Sequence, residues 1–127
     1  MILDASVAVE VALGSPVGRR AIPLLADELI VPELFYAEFH SVLHKLRLRK
    51  TIDAAQIREA RTAVRRLALL AMPVHHLEDE LWKASQAISA YDAHYVVLAR
   101  VMKMPVATCD ARLAKSNSLG VRFLLIS

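Results

Sequence analysis

Short apolar runs alternate along this chain with longer stretches in which apolar residues recur every three or four positions. The short runs have the length and β-branched content of buried strands, and the longer ones have the period of amphipathic helices. This pattern predicts strands at Met1–Asp4, Glu28–Val31, Met72–His75, Val106–Thr108 and Val121–Ile126. Between them it predicts helices at Val7–Leu13, Val17–Leu25, Pro32–Arg49, Ala54–Leu69, Leu77–Ala87, Tyr91–Met102 and Ala111–Ser118. Gly14-Ser15-Pro16 separates the first two helices, Pro32 suits the first turn of the third, and Thr51 or Asp53 can cap the fourth. No repeat, low-complexity tract or long linker divides the chain, so one domain over residues 1–127 is expected. Strands and helices alternating in this way predict an α/β fold, with a central parallel sheet of about five strands and helices on both faces.

Four carboxylates stand out against this pattern because each lies where an apolar element begins or ends. Asp4 follows Met1-Ile2-Leu3, Asp92 heads an apolar helix and Asp110 closes Pro105–Cys109. Glu38 interrupts an apolar helical stripe, with Leu34, Phe35 and Val42 three or four residues away and Ser41 as the polar neighbour at that spacing. Asp92 shares its stripe with Tyr95, Val96, Ala99 and Met102. A cap or a turn explains Asp92 or Asp110 taken singly, but neither explains Glu38. In open α/β sheets, sites form beyond the carboxyl ends of the strands. Asp4 and Asp110 end strands, Glu38 lies early in the helix leaving the second strand, and Asp92 opens a helix returning to the fourth. All four are therefore expected at one edge, given a strand order that brings them together.

Clustered carboxylates raise one another's pKa, and a hard divalent cation with oxygen ligands relieves the repulsion. Mg²⁺ or Mn²⁺ in such a pocket orients a phosphodiester and activates water, leaving a 5′-phosphate and a 3′-hydroxyl. Ser6 and Thr108, each two residues from an acid, are candidate supporting hydroxyls. Amidation of Asp4 or Asp92 is expected to abolish such chemistry with the fold intact, because it removes like charge.

Charge supports a polyanionic substrate. The net charge is only +3, but Lys45 to Arg66 holds eight basic residues against Asp53 and Glu59. Arg58, Arg61 and Arg65 are spaced along one side of a helix and are candidate residues for guiding a polyanion beside an acidic pocket. The apolar content of 56% exceeds what one core needs and points to a dimer or partner interface. The longest apolar run, Leu67–Val74, is far too short to span a membrane. Asp4 falls where an export leader would need a basic and then an apolar stretch, and Cys109 is the lone cysteine. A reducing cytoplasm is the expected compartment.

Other signals are weaker. His40 and His44 have a zinc-compatible spacing but no third ligand or HExxH order. His75-His76 reads as a loop pair, His94 as a residue flanking the pocket, Cys109 as packed, and Trp82 with Leu81 and Ile88 as core or interface. Three glycines leave no room for a nucleotide-binding loop.

Four segments, LDASV at 3–7, PELFYAEFHSVL at 32–43, SAYDA at 89–93 and ATCDARL at 107–113, together resemble the PIN-domain ribonucleases of the VapC toxin type. The resemblance lies in their order and spacing over nearly the whole chain. It implies a PIN-like nuclease fold cleaving RNA with Mg²⁺ or Mn²⁺, a homodimer, and a cognate antitoxin that wraps the toxin and can place a basic side chain among the acids. It also implies Asp4, Glu38, Asp92 and Asp110 as the catalytic acids, with Ser6, Thr108 and Ser41 in support. Asp4, Asp92 and Asp110 are then expected to ligate the principal ion, with Glu38 binding through water or positioning the nucleophile. Two positions depart from the pattern. Many relatives carry asparagine at Ser41, and some carry a further acid near Arg112, for which Asn117 is the nearest polar candidate here.

Three other functions compete. A phosphoacceptor signalling module needs paired acids after the first strand and a late lysine, and Asp4 stands alone. A catalytically silent PIN-like interaction module would bind no Mn²⁺ through these acids. A DNA nuclease would use the same acids.

Overall fold

A computed structural model describes residues 1–127, with every side chain except that of Asn117. The role considered for Asn117 thus lies outside the described residues. Five strands, β1 (Ile2–Leu3), β2 (Ile30–Pro32), β3 (Leu70–Met72), β4 (Val106–Thr108) and β5 (Phe123–Leu125), form one sheet in the order β3-β2-β1-β4-β5. Every pairing is parallel, with Ile2 opposite both Ile30 and Val106. Side chains alternate across this sheet, so Leu3, Val31 and Ala107 enter one core while Ile2, Ile30 and Val106 enter the other.

Helices cover both faces. The first carries α1 (Ala5–Ala12), α2 (Pro16–Ala21), α3 (Phe35–Leu48) and α4 (Ala54–Arg65). Phe35, Phe39 and Leu43 of α3 and Ala60 and Val64 of α4 are buried there against Val7 and Ala8 of α1. The second face carries α5 (Glu78–Ala84), α6 (Ala90–Met102) and the short α7 (Ala111–Ala114). Tyr95, Leu98 and Ala99 of α6 pack on Ile2, Ile30 and Val106, and Leu113 of α7 packs on Val96. Right-handed crossovers account for this division. The chain steps outward from β1 through β2 to β3, then returns to β4 and proceeds the other way. The reversal leaves a switch point between β1 and β4, beyond whose carboxyl ends a parallel sheet forms its crevice.

Several boundaries differ from those the pattern predicts. The third strand lies at Leu70–Met72, two residues before the predicted start, and α4 stops at Arg65. Leu67–Val74 reads as one apolar run, but Ala68 turns the chain with a φ of 50° and Pro73 cannot extend the ladder. β3 is also an edge strand, so Leu70 stays 48% exposed. Pro23 lacks the N–H needed to continue α2, and the chain tightens into a 3₁₀ turn at Ile22–Ala26. α7 ends at Ala114, well short of Ser118. Trp82 is 67% exposed and is not core. Asp53, not Thr51, caps α4 in a reciprocal capping box with Gln56.

α1 and α2 approach closely at Gly18. A β-carbon there would lie 2.1 Å from the Glu10 carbonyl oxygen and 2.6 Å from the Val11 nitrogen. Gly18→Ala is therefore expected to destabilise the protein by about 2–3 kcal/mol, because backbone rather than a flexible side chain must yield. A chemical-denaturation midpoint equal to wild type would contradict that close packing.

Candidate active site

Asp4 leaves β1 directly into the first turn of α1 and caps that helix with its own side chain. It is only 7% exposed. Its Oδ2 accepts the Ser6 hydroxyl at 2.7 Å and the Thr108 hydroxyl at 2.6 Å. Ser6 Oγ in turn accepts the Cys109 N–H at 3.0 Å, and Thr108 Oγ1 accepts the Asp110 N–H at 3.0 Å. Two hydroxyls thus tie the end of β1 to the end of β4 and orient Asp4. These are the two hydroxyls expected beside the acids.

Asp110 caps α7, where Oδ1 accepts the N–H groups of Arg112 at 2.8 Å and Leu113 at 3.1 Å. Its Oδ2 faces Arg112 Nη2 at 3.7 Å across an exposed pair. Asp92 does not cap α6. Ser89 does so, accepting the Asp92 N–H at 3.0 Å, which leaves the Asp92 carboxylate free of capping. Glu38 lies in the first turn of α3. Its Oε1 is buried with no hydrogen-bond partner among the described residues, so Ser41, exposed one turn further on, does not support it.

Electrostatics link the four. Burial pushes the Glu38 carboxyl up to about 7, with the charges of Asp4 and Asp92 adding to the rise and the Tyr95 hydroxyl opposing it. Asp92 is also raised, first by burial and then by Asp4 and Asp110, against lowering by Ser89 and Arg112. Each of these two acids senses two of the others. They have not closed on a point, since among the described residues no three Asp, Glu, His or Cys side chains stand near enough to share one ion. Like-charge repulsion favours that spreading.

Tyr95 is a component the periodicity did not assign. It is fully buried on α6, and its hydroxyl faces Glu38 outside normal hydrogen-bond geometry, leaving that hydroxyl and Glu38 Oε1 unpartnered among the described residues. Burial and the charges of Glu38 and Asp4 push its pKa far upward, so it stays a protonated donor. The available signal was its place three residues after Asp92 on an otherwise apolar stripe, where a buried tyrosine needs a partner for its hydroxyl.

The raised Glu38 carboxyl fixes a pH dependence for the metal-free protein. Its folded state holds the proton up to about 7, whereas the ordinary value is 4.5. Stability is therefore fully present below 4.5 and declines as pH rises towards 7, because the unfolded chain ionises first. Glu38 is half-buried, and after allowance for screening the decline is about 1 kcal/mol. Melts in chelator from pH 5 to 8 should show Glu38→Gln with a flatter profile and a higher melting temperature at pH 8. A steeper profile in the variant would contradict this assignment.

Two of the three arginine candidates line depressions that none of the four acids borders. Arg61 lines a cleft between α3 and α4 with His40, His44 and Arg47. Arg58 lines a different depression with Glu59 and Arg66, and Arg65 donates to Thr62 Oγ1 at 3.2 Å. The expected arginine stripe is thus divided. His94 Nδ1 donates to the Ala90 carbonyl at 2.6 Å. His75 and His76 form an exposed turn beyond the edge strand β3. Burial, followed by the charge of Glu10, raises the Cys109 thiol, so it is held protonated. No helix is long and apolar enough to cross a membrane among the described residues.

Comparison with known proteins agrees with this fold. Residues 1–117 match the PIN domain family. The chain is 37% identical over 117 residues to "VapC ribonuclease Mb0985" of Mycobacterium bovis, covering 92% of this chain and 91% of that protein. "Ribonuclease VapC9" of Mycobacterium tuberculosis shows the same identity and coverage, and "Ribonuclease VapC12" of that organism is 26% identical over 100% of this chain and 99% of its own length. A solved structure described as "Toxin-antitoxin complex from Klebsiella pneumoniae" superposes with a TM-score of 0.69 at 10% identity, covering 97% of this chain and 94% of that one, and shares the fold. The chain belongs to the PIN-domain family, in its VapC group.

Proposed function

We propose that this protein is a divalent-metal-dependent endoribonuclease acting as the toxin of a toxin–antitoxin pair, with Asp4, Glu38, Asp92 and Asp110 as its catalytic acids. One observation carries the reading. At the carboxyl edge of β1 and β4 the charges of Asp4, Asp92 and Asp110 add to the raised protonation of Glu38 or Asp92, and one buried oxygen, Glu38 Oε1, lacks a partner among the described residues. The ribonuclease names of the 37% identical relatives supply the substrate class, and the shared fold with a toxin–antitoxin complex from Klebsiella pneumoniae is consistent with an antitoxin partner.

The donor set suits a hard cation, because it is all carboxylate oxygen and includes that unpartnered atom. Asp4, Asp92 and Asp110 would hold the ion, with Glu38 beside it. Mg²⁺ or Mn²⁺, when bound, supplies Lewis-acid polarisation of a phosphoryl oxygen and lowers the pKa of water. The chain's own residues do the rest. Ser6 and Thr108 both bond one oxygen of Asp4 and so hold its carboxylate in one orientation. Glu38, with a carboxyl near neutrality, is suited to take a proton from an attacking water. Tyr95 stays protonated and can donate to Glu38 once that carboxylate ionises. The chain acts as a homodimer in the cytoplasm, and the cognate antitoxin silences it by covering this edge.

The decisive experiment combines cleavage and melting. A single-stranded RNA should be cut with Mg²⁺ or Mn²⁺ and left whole in chelator, with cleavage restored by excess metal. Mn²⁺ at a hundredfold excess over its Kd should also stabilise the fold by about 2.7 kcal/mol. A silent interaction module would show neither effect, and undiminished cleavage in chelator would overturn the mechanism. Growth arrest on expression, rescued by a small adjacent reading frame, tests the toxin role.

A further inference from the structure

A cleft outside the acidic site lies between α3 and α4. It encloses about 550 Å³. Its floor is apolar, from Leu43 and Ile57, and its rim carries His40, His44, Arg47 and Arg61. Three of these rim residues follow from helix geometry. His40, His44 and Arg47 are four and then three residues apart, so α3 aims them along one stripe. Arg61 meets them from α4.

A neighbouring stripe of α3 connects this cleft to the acids. Glu38, Ser41 and Lys45 line a second cleft of about 420 Å³, and Ser41 borders both. Nine residues of helix put Arg47 about 13 Å along α3 from Glu38. A chain of positive charge thus leads away from the carboxylates on one continuous surface. Both arginines of the rim, Arg47 and Arg61, come from the most basic stretch of the sequence, Lys45 to Arg66.

We propose that the α3–α4 cleft is a binding site for single-stranded RNA, in which Arg47 and Arg61 pair with backbone phosphates and Leu43 and Ile57 receive an unstacked base. This assignment rests on the ribonuclease reading above for the identity of the polyanion. Charge complementarity favours a polyanion over an apolar peptide, since the rim offers four donors and no acid. The apolar floor favours a single strand over a duplex, whose bases are not free to turn outward. Arg58 and Arg65, outside this cleft, contribute less than the helical spacing alone implied.

The test uses the whole chain in chelator, where binding is read without cleavage. The probes are a fluorescein-labelled RNA 12-mer, its duplex and an acidic amphipathic 20-residue peptide, followed by anisotropy from 50 to 200 mM salt. Arg47→Ala/Arg61→Ala is expected to weaken single-strand binding at least tenfold at 50 mM salt. The slope of log affinity against log salt should fall by about 1.4, the value for two lost single-strand phosphate contacts. Arg47→Lys/Arg61→Lys should keep that slope, and the distant pair Lys83→Ala/Arg122→Ala should leave both quantities near wild type. With metal present, the alanine pair should raise KM on a long RNA and leave kcat unchanged.

An unchanged slope in the alanine pair overturns the proposal, as does equal affinity for duplex and single strand. So does loss of peptide binding alone, which would make the cleft a protein-docking surface. A wild-type chain that binds RNA with the expected slope but cleaves none would sink the ribonuclease reading and leave this site standing.

Discussion

Asp92→Asn is expected to lower metal-dependent RNA cleavage by about a thousandfold, which is about 4 kcal/mol of transition-state stabilisation. The folded protein should be as stable as wild type or slightly more so. Both halves follow from where Asp92 sits. Ser89 caps α6, so amidating Asp92 removes no helix cap, and burial and like charge outweigh what its carboxylate gains from Ser89. Its carboxylate is half-buried and raised by burial, Asp4 and Asp110, so removing the charge relieves repulsion in the metal-free protein. The same removal takes a negative oxygen from the cation's donor set. Steady-state cleavage with Mn²⁺, alongside melting in chelator, measures the two effects separately. Activity within tenfold of wild type would remove Asp92 from the mechanism.

Asp4→Asn should lose cleavage to a similar extent but should also cost stability, about 1–2 kcal/mol, and the melting temperature should fall by several degrees. The reason is the buried network. Asp4 Oδ2 accepts two hydroxyls at 2.6 and 2.7 Å while Oδ1 accepts the Ser6 N–H at 3.5 Å. An asparagine offers one oxygen and one NH₂ group, so a donor must face a donor, and the surviving bonds lose their charge assistance. Amidation of Asp4 is therefore expected to cost stability, where charge alone predicts an intact fold. Thr108→Val combined with Asp4→Asn separates the contributions. If the network is responsible, the two changes should cost less together than the sum of their separate costs. Strict additivity would place the stability loss elsewhere.

Much of the active edge was legible from local pattern. Asp4, Asp92 and Asp110 attract notice because each stands at the boundary of an apolar element, and Glu38 because nothing local excuses it. Ser6 and Thr108 were found by their distance in sequence from an acid, and they do bond to Asp4. Ser41 was chosen on the same ground and fails, because α3 presents it to the clefts and leaves the Glu38 oxygen unpartnered. Helical spacing groups Arg58, Arg61 and Arg65, yet only Arg61 reaches the cleft beside α3. Spacing identifies a shared face but not the neighbour that the face meets.

The amino-acid order alone determined the α/β class, the alternation of apolar residues to two sides of a sheet, and the identity of four unusual acids. These are properties of neighbours within a few residues, where the periods of helix and strand and the cost of a desolvated charge act directly. The tertiary structure decided what lies beside what. It put β1 between β2 and β4, brought the Thr108 hydroxyl to Asp4 across 104 residues, set Tyr95 against Glu38, and opened a basic cleft where α3 meets α4. Strand order and helix docking are settled by crossover handedness and by burial summed over the whole molecule, and no local stretch carries that information.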